Sequence, residues 1–455
     1  MLKVEKLNRG DSVENTNKLD ERELGGDFES LEIIKVIIYS LIGVVVFFVP
    51  IRLDSQTKTL IYHMSYKLQH YGGNFIKICT VVFVSLGGIK NIFISRGEKF
   101  NLKKMFIYIK LLSVLIIIDV FFGSNKVFLI SDNTTLILKD IILNLTTLLP
   151  LAAIFMVFFD YGLLDIVESY FHTITKKAFK LSGKTIVNIM VYIFTDCFCG
   201  FYMTNRLYKS GKIRENEACM LVLNFSVLSI PMIKYIIDEF NIDTIDFLPI
   251  LLVIFILSNM ILSRVYPINK KKKSYYIKTS YKETVHRSDK LKKAIKKYIN
   301  NRKKESIIKK IFINLEEAIY VIMNVSPNII IVLFLGDIII NNIGIIENIK
   351  YVFYPIINLL KLPYSNKLGE FMVVNFYNAI IAIDLIKGNE DYFIRILIGL
   401  VASLKLSPLS SLMVYCKSLD FSISLKENVI SYLLKTMTVI LIYSMIYYFY
   451  KGYII

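Results

Sequence analysis

Long apolar runs separated by short polar stretches fill most of this chain. Helix-length runs lie at about 33–50, 74–94, 105–122, 139–159, 247–265, 316–335 and 428–449. Runs of about 18 or more apolar residues read as membrane spans. They are continuous rather than alternating with period two, which argues against a β-barrel. The pattern predicts an all-α, polytopic helical membrane protein.

Six further segments break the simple span pattern. In residues 161–183, Leu164, Val167, Phe171, Ile174 and Ala178 recur at helical spacing, with Asp165, Glu168, Lys176 and Lys177 at polar positions. This predicts an amphipathic helix lying in the interface. Residues 184–217 hold an apolar stretch cut by Thr195, Asp196 and Gly200 and followed by Arg206, Lys209, Lys212 and Arg214. A segment that enters from the basic side and returns to it predicts a re-entrant hairpin with its tip near Thr195–Cys199. The alternative is one full span with a different crossing order. Residues 217–238 carry "LNFSVLSIP", and residues 391–416 carry "LVASLKLSP", with Leu, Ser and Pro at the same offsets (Leu223/Leu400, Ser226/Ser403, Pro231/Pro408). Before the second of these come an interfacial segment, 344–363, and a short apolar piece, 368–386, interrupted by Asn375 and Asn378. With the two broken helices counted, about nine full spans and two re-entrant hairpins are expected.

Charge sets the orientation. Residues 270–310 hold 17 Lys/Arg against three acids, a net of +14 out of the +18 of the whole chain. The positive-inside rule accounts for this loop without a nucleic-acid partner. Together with the basic loop 96–104 it places the N-terminus in the cytoplasm of a bacterial plasma membrane. The first apolar run then reads as a retained span, because the polar N-terminal stretch lacks the basic region of a signal peptide. Five units follow: a polar N-terminus (1–32), N-terminal spans (33–138), a first repeat (139–266), the basic cytoplasmic loop (267–313) and a second repeat (314–455). The loop after the first hairpin is basic, whereas its counterpart "KGNED" is nearly free of basic residues. The repeats are therefore expected to be inverted. Inverted repeats with discontinuous helices at matching positions point to a secondary transporter's substrate site.

A proline removes a backbone donor, and a serine offers the backbone an alternative hydrogen bond. Helix unwound at membrane depth is tolerated where protein, water or a polar ligand satisfies it. A packing kink is the plainer explanation for any one such break. Asp196 and Lys405 are ionisable groups at membrane depth and so mark function by default. They can pair, bind a zwitterion, carry a coupling proton or simply lock the repeats. Cys79, Cys197, Cys199, Cys219 and Cys416 fall in or beside helices, and the four histidines are scattered. No disulfide framework, metal site, cofactor or hydrolytic or redox constellation is expected, and the chain reads as a non-enzyme.

"SLIGVVVFFVPI" (40–51) and "GFYMTNRLYKSGKIRENEACMLVLNFSVLSIP" (200–231) resemble the signatures of the YjiH family of membrane proteins. That family is assigned the Gate (nucleoside-recognition) domain, shared with concentrative nucleoside transporters, ferrous-iron permeases and spore-maturation proteins. The resemblance implies interfacial helices, two hairpins and two unwound helices in inverted repeats, with tips and unwound segments binding the solute. By position these are Thr195, Asp196 and Cys197; Asn224, Ser226 and Ser229; Asn375 and Asn378; and Ser403, Lys405, Ser407 and Ser410. No GTPase P-loop is present, so an iron pump of that kind is not expected.

The function expected is secondary transport of a small polar metabolite, nucleoside-like or another, coupled to Na+ or H+. The partners are then the lipid bilayer, that solute and the ion, and a homo-oligomer is compatible. The alternative is a non-transporting assembly partner or sensor that keeps the Gate fold. A transporter needs a polar cavity where the two tips meet, whereas a scaffold fills that volume with apolar side chains.

Overall fold

The computed structural model describes residues 26–53, 56–94, 102–123, 130–277, 295, 306–342, 348–360, 362, 365–385, 391–405 and 412–454. The N-terminal segment 1–25, most of the 270–310 loop, and Ser407 and Ser410 lie outside the described residues. The fold is all-α apart from one β-hairpin. Among the described residues, five helices are long and apolar enough to cross a bilayer: Leu60–Lys90, Asp132–Asp160, Thr244–Leu262, Ile307–Ile339 and Leu425–Phe449. Their outer faces carry exposed apolar side chains such as Leu252, Phe312 and Met445. Such a surface is stable against lipid and not against water. This is a multi-pass membrane protein.

In chain order, α1 (Gly26–Phe48) leads to strands β1 (Pro50–Leu53) and β2 (Gln56–Thr59), which pair antiparallel. Helix α2 (Leu60–Ile94) begins well before the expected span at 74 and is kinked at Gly73, whose φ of 41° a side chain disfavours. Then come α3 (Leu102–Phe122) and α4 (Asp132–Phe155). Helix α5 (Leu163–Phe179) falls where the amphipathic helix is expected. It starts at Gly162 and ends at Lys180, both with positive φ, and leaves Tyr170, Phe171 and Ile174 exposed on one face.

The first hairpin follows as α6 (Thr185–Phe194) and α7 (Cys197–Lys209). Helices of 10 and 13 residues rise only about 15 and 20 Å, short of a bilayer core of about 30 Å. They must turn back, and they do so at Thr195–Asp196. Gly200 allows the close return, because a Cβ there would meet the Tyr192 ring at 2.3 Å. Asn188 and Tyr192 both bond Thr204 across the pair, at 2.6 and 3.0 Å.

The first broken helix is α8 (Glu215–Asn224) and α9 (Ile230–Glu239), with residues 225–229 unwound between them. Pro231 does not break a ladder here. It lies in the first turn of α9, where a missing N–H costs nothing. Helix α10 (Thr244–Leu262) closes the first repeat.

The second repeat opens with α11 (Ile307–Asn342). The expected interfacial segment is short, with a 3-10 turn at Lys350–Val352 and then α12 (Tyr354–Leu359), interrupted where Pro355 must start a new helix. The second hairpin is α13 (Ser365–Tyr377) and α14 (Ala379–Leu385), turning at Asn378. The second broken helix is α15 (Tyr392–Leu404) and α16 (Met413–Cys416), and α17 (Leu425–Ile454) ends the chain.

Polar contacts fix which ends lie together. Asn205 at the first hairpin's base bonds Asp420, and Lys271 bonds Glu427. At the other end, Tyr392 bonds Asp246, and Asp337 accepts from Ser131. The first hairpin therefore has its base at the basic end, and the second at the opposite end. The two repeats run inverted. Helices α2, α4 and α11 cross beside them. Gly87 of α2 sits where a Cβ would lie 1.7 Å from the Met323 carbonyl oxygen, whereas the nearest atom to a Cβ on Gly88 is 3.7 Å away. Gly87→Ala should therefore destabilise by about 1–3 kcal/mol through forced backbone separation. Gly88→Ala should be neutral or stabilising by up to about 1 kcal/mol. Thermal unfolding of the two variants in detergent compares them, and equal midpoints would refute the close crossing.

Candidate functional site

Both hairpins turn in the same way. Asp196 caps α7 by accepting from the Phe198 N–H at 2.8 Å. Asn378 caps α14 by accepting from Ile380 N–H at 2.9 Å and Ile381 N–H at 3.3 Å. Asp and Asn are good N-caps because a short side-chain oxygen reaches the orphan donors of the first turn. In two inverted repeats these are matching residues, and they face one cavity of about 390 Å³.

That cavity is also lined by Cys197, Phe198, Leu228, Ser229, Pro231 and Met232, by Tyr62, Ser65 and Gln69 of α2, and by Asp140 and Asn144 of α4. Its polar wall is organised. Gln69 donates to Asn144 at 3.1 Å and to Thr147 at 2.8 Å, and Ser65 shares a hydrogen bond with Thr147 at 2.8 Å. Tyr62 donates to the Thr195 carbonyl at 2.7 Å, which pins the first tip to α2. Lys58 and Tyr66 also border it, the ammonium 5.6 Å from the ring centroid. The volume and the few convergent polar groups suit a small polar ligand.

A second cavity of about 740 Å³ opens at the basic end between Lys90, Lys110, Arg206, Lys209, Glu317 and Tyr415. One aromatic layer separates the two. Phe198 borders the first cavity and Tyr415 the second. Their rings pack at 5.9 Å, with Phe201 4.9 Å from Tyr415.

The two helix breaks touch. Leu228 N–H, in the first, donates to the Ser403 carbonyl at 3.0 Å. The apparent register of the motif does not hold in space: α8 ends at Asn224 and α15 at Leu404, so Ser403 corresponds to Leu223 rather than to Ser226. Their roles differ accordingly. Ser226 Oγ donates back to the Val222 carbonyl at 2.7 Å, whereas Ser403 Oγ is buried with no hydrogen-bond partner among the described residues.

Lys405 follows directly after α15. It does not pair with Asp196. Its ammonium donates to the Leu223 carbonyl and, at 3.4 Å, to Ser431. Lys435 donates to the Asn224 carbonyl at 3.4 Å and to Asn259 at 2.8 Å. Asn224 in turn accepts from Ser431 at 3.0 Å. These are carbonyls left open where α8 stops, and cations suit a helix C-terminus.

The structure thus brings Asp196, Cys197, Ser229 and Asn378 to the cavity, and Asn224 and Lys405 to the helix end beneath it. Asn375 is not at a tip; it lies inside α13 and donates to Tyr432 at 2.8 Å. Thr195 contributes its carbonyl to Tyr62 and does not line the cavity. Sequence reasoning missed the α2 wall, although Tyr62, Ser65, Tyr66 and Gln69 recur at helical spacing on one face. It also missed Lys435, a cation inside the apolar run of α17 that shares a helical face with the polar residues Asn428 and Ser431.

No family model matches the chain, and no solved structure matches it. An uncharacterized protein of Alkalihalophilus pseudofirmus is similar, 20% identical over 284 residues. The matched region is 61% of this chain and spans 61% of that relative's length.

Proposed function

We propose that this protein is a secondary transporter of a small polar metabolite in a bacterial plasma membrane, with its basic end in the cytoplasm. The observation that carries the reading is the cavity bounded by Asp196 and Asn378, one from each inverted repeat. Discontinuous helices and hairpins of inverted repeats meet at the solute site in transporters of this kind, and access alternates by moving one body against another. The aromatic layer of Phe198 and Tyr415 would then close the path on the cytoplasmic side. The arrangement also agrees with the resemblance to the YjiH family and its Gate domain, which makes nucleosides the first solutes to try. A non-transporting scaffold has no use for a cavity of this size between its hairpins.

Thermal unfolding of the purified protein, measured with nucleosides, nucleobases and amino acids in turn, tests the reading. A binder should raise the unfolding midpoint, by about 2.7 kcal/mol of stabilisation at a hundredfold excess over Kd. Ser229→Ala should cancel much of that rise, since it removes a cavity hydroxyl. No rise with any solute, from a sample that unfolds cooperatively, would favour the scaffold.

A further inference from the structure

Lys405 and Lys435 are buried to 1% and 0% exposure, yet among the described residues neither meets a carboxylate. The groups around them come from four helices. From α8 these are the Leu223 and Asn224 carbonyls, from α10 Asn259 and the ring of Phe255, and from α17 Ser431. The remaining titratable neighbour is Cys416 of α16 on the Lys405 side, and the two lysines also feel each other. A buried ammonium without a counter-ion is costly, so its position needs a cause. That cause is the broken end of α8, where carbonyls with no helical partner face the membrane interior.

Unwound carbonyls and half-helix C-termini are where transporters built from discontinuous helices hold a coupling cation. Here that place is filled by the chain itself. We propose that Lys405, supported by Lys435, is the resident cation of the α8 end, so that this protein holds its fold and its solute site without an alkali cation. A sodium ion at the Leu223 and Asn224 carbonyls would have to displace the two lysine side chains that donate to them. The proposal rests on reading the helix breaks as the heart of a transporter, and it separates the sodium alternative from the others.

The test is thermal unfolding in sodium, potassium and choline chloride at equal ionic strength. It needs no solute, so a failed solute screen leaves it decisive. The wild-type midpoint should be the same in all three salts. Lys405→Ala should unfold several degrees lower in choline and regain part of that loss in sodium, which can enter the vacated carbonyl cluster. A sodium-selective rise in the wild type would overturn the proposal. So would an equal loss of Lys405→Ala in every salt, because the cluster would then hold no free cation. Lys405→Met matching the wild type would overturn it too, since the ammonium would then be dispensable. If Lys405→Ala does not fold, Lys435→Ala is compared in the same salts, and the wild-type result alone still decides against the proposal if sodium stabilises.

Discussion

Asp196→Asn should leave the first hairpin folded and weaken solute binding by about 10- to 150-fold. The reason is that Asp196 has two separable roles. Its Oδ1 caps α7 through the Phe198 N–H, and asparagine caps a helix about as well as aspartate. Its carboxylate also faces the cavity, where a hydrogen bond involving a charged group contributes about 1.5–3 kcal/mol. That range is the stated loss of affinity. Asp196→Ala loses the cap as well, at about 1 kcal/mol, and so should lower the unfolding midpoint in the absence of solute. Asn378→Ala is the matching experiment in the second repeat, with two capping bonds lost instead of one. The measurement is Kd for whichever solute raises the wild-type midpoint, alongside the midpoint without solute. Wild-type affinity in Asp196→Asn would remove this carboxylate from the solute's surroundings.

What the sequence makes plain is what depends on length and periodicity. Apolar runs of about 20 residues locate spans, and 10-residue helices flanking a polar tip cannot cross. The hairpin at Thr195–Asp196 was therefore legible from residue count and from basic residues on both flanks. The amphipathic helix at 163–179 was legible from its 3.6-residue period. The start of α2 was not, because residues 60–73 mix Tyr, Lys, Gln and His among apolar positions. That mixture reads as a loop until the helix is seen to be a wall of the cavity, with polar residues on the inner face.

Sites fared differently because their residues meet through tertiary structure. The shared Leu-Ser-Pro spacing correctly drew attention to both breaks but set them in the wrong register. A serine's role is decided by which carbonyl lies near it, and sequence spacing carries no such information. Asp196 and Lys405 both stood out as charges at membrane depth, and attraction between opposite charges suggested a pair. The structure satisfies them separately instead, one on the Phe198 N–H at a helix start and the other on the Leu223 carbonyl and Ser431 at a helix end. Helix termini thus do the work that a salt bridge between the two would have done. A buried charge can be met by oriented peptide dipoles as well as by another charge.

Lys184→Met should be among the most damaging single changes, at about 3–5 kcal/mol. Lys184 is 1% exposed, and its ammonium lies 3.2 Å from Asp165 and 3.5 Å from Glu168. It stands at the N-terminus of α6, where the helix dipole disfavours a cation, so the two carboxylates of α5 must account for its presence. Removing it takes a buried cation away from both carboxylates, Glu168 in particular being buried, and breaking a buried pair on one side costs in the stated range. The chain cannot relax easily there, since a Cβ on Gly183 would lie 2.7 Å from the Glu168 Cα. Adding Glu168→Gln and Asp165→Asn to Lys184→Met should recover most of the loss, because neutral partners need no ammonium. Unfolding midpoints of the single and triple variants measure this directly. If the single variant alone matches the wild type, the ion cluster does not hold the hairpin. If the triple variant recovers stability, the cluster serves to fix where the first hairpin leaves the interface. The position of the Asp196 tip, some 15 Å further along α6, then depends on a charge arrangement outside the cavity that it serves.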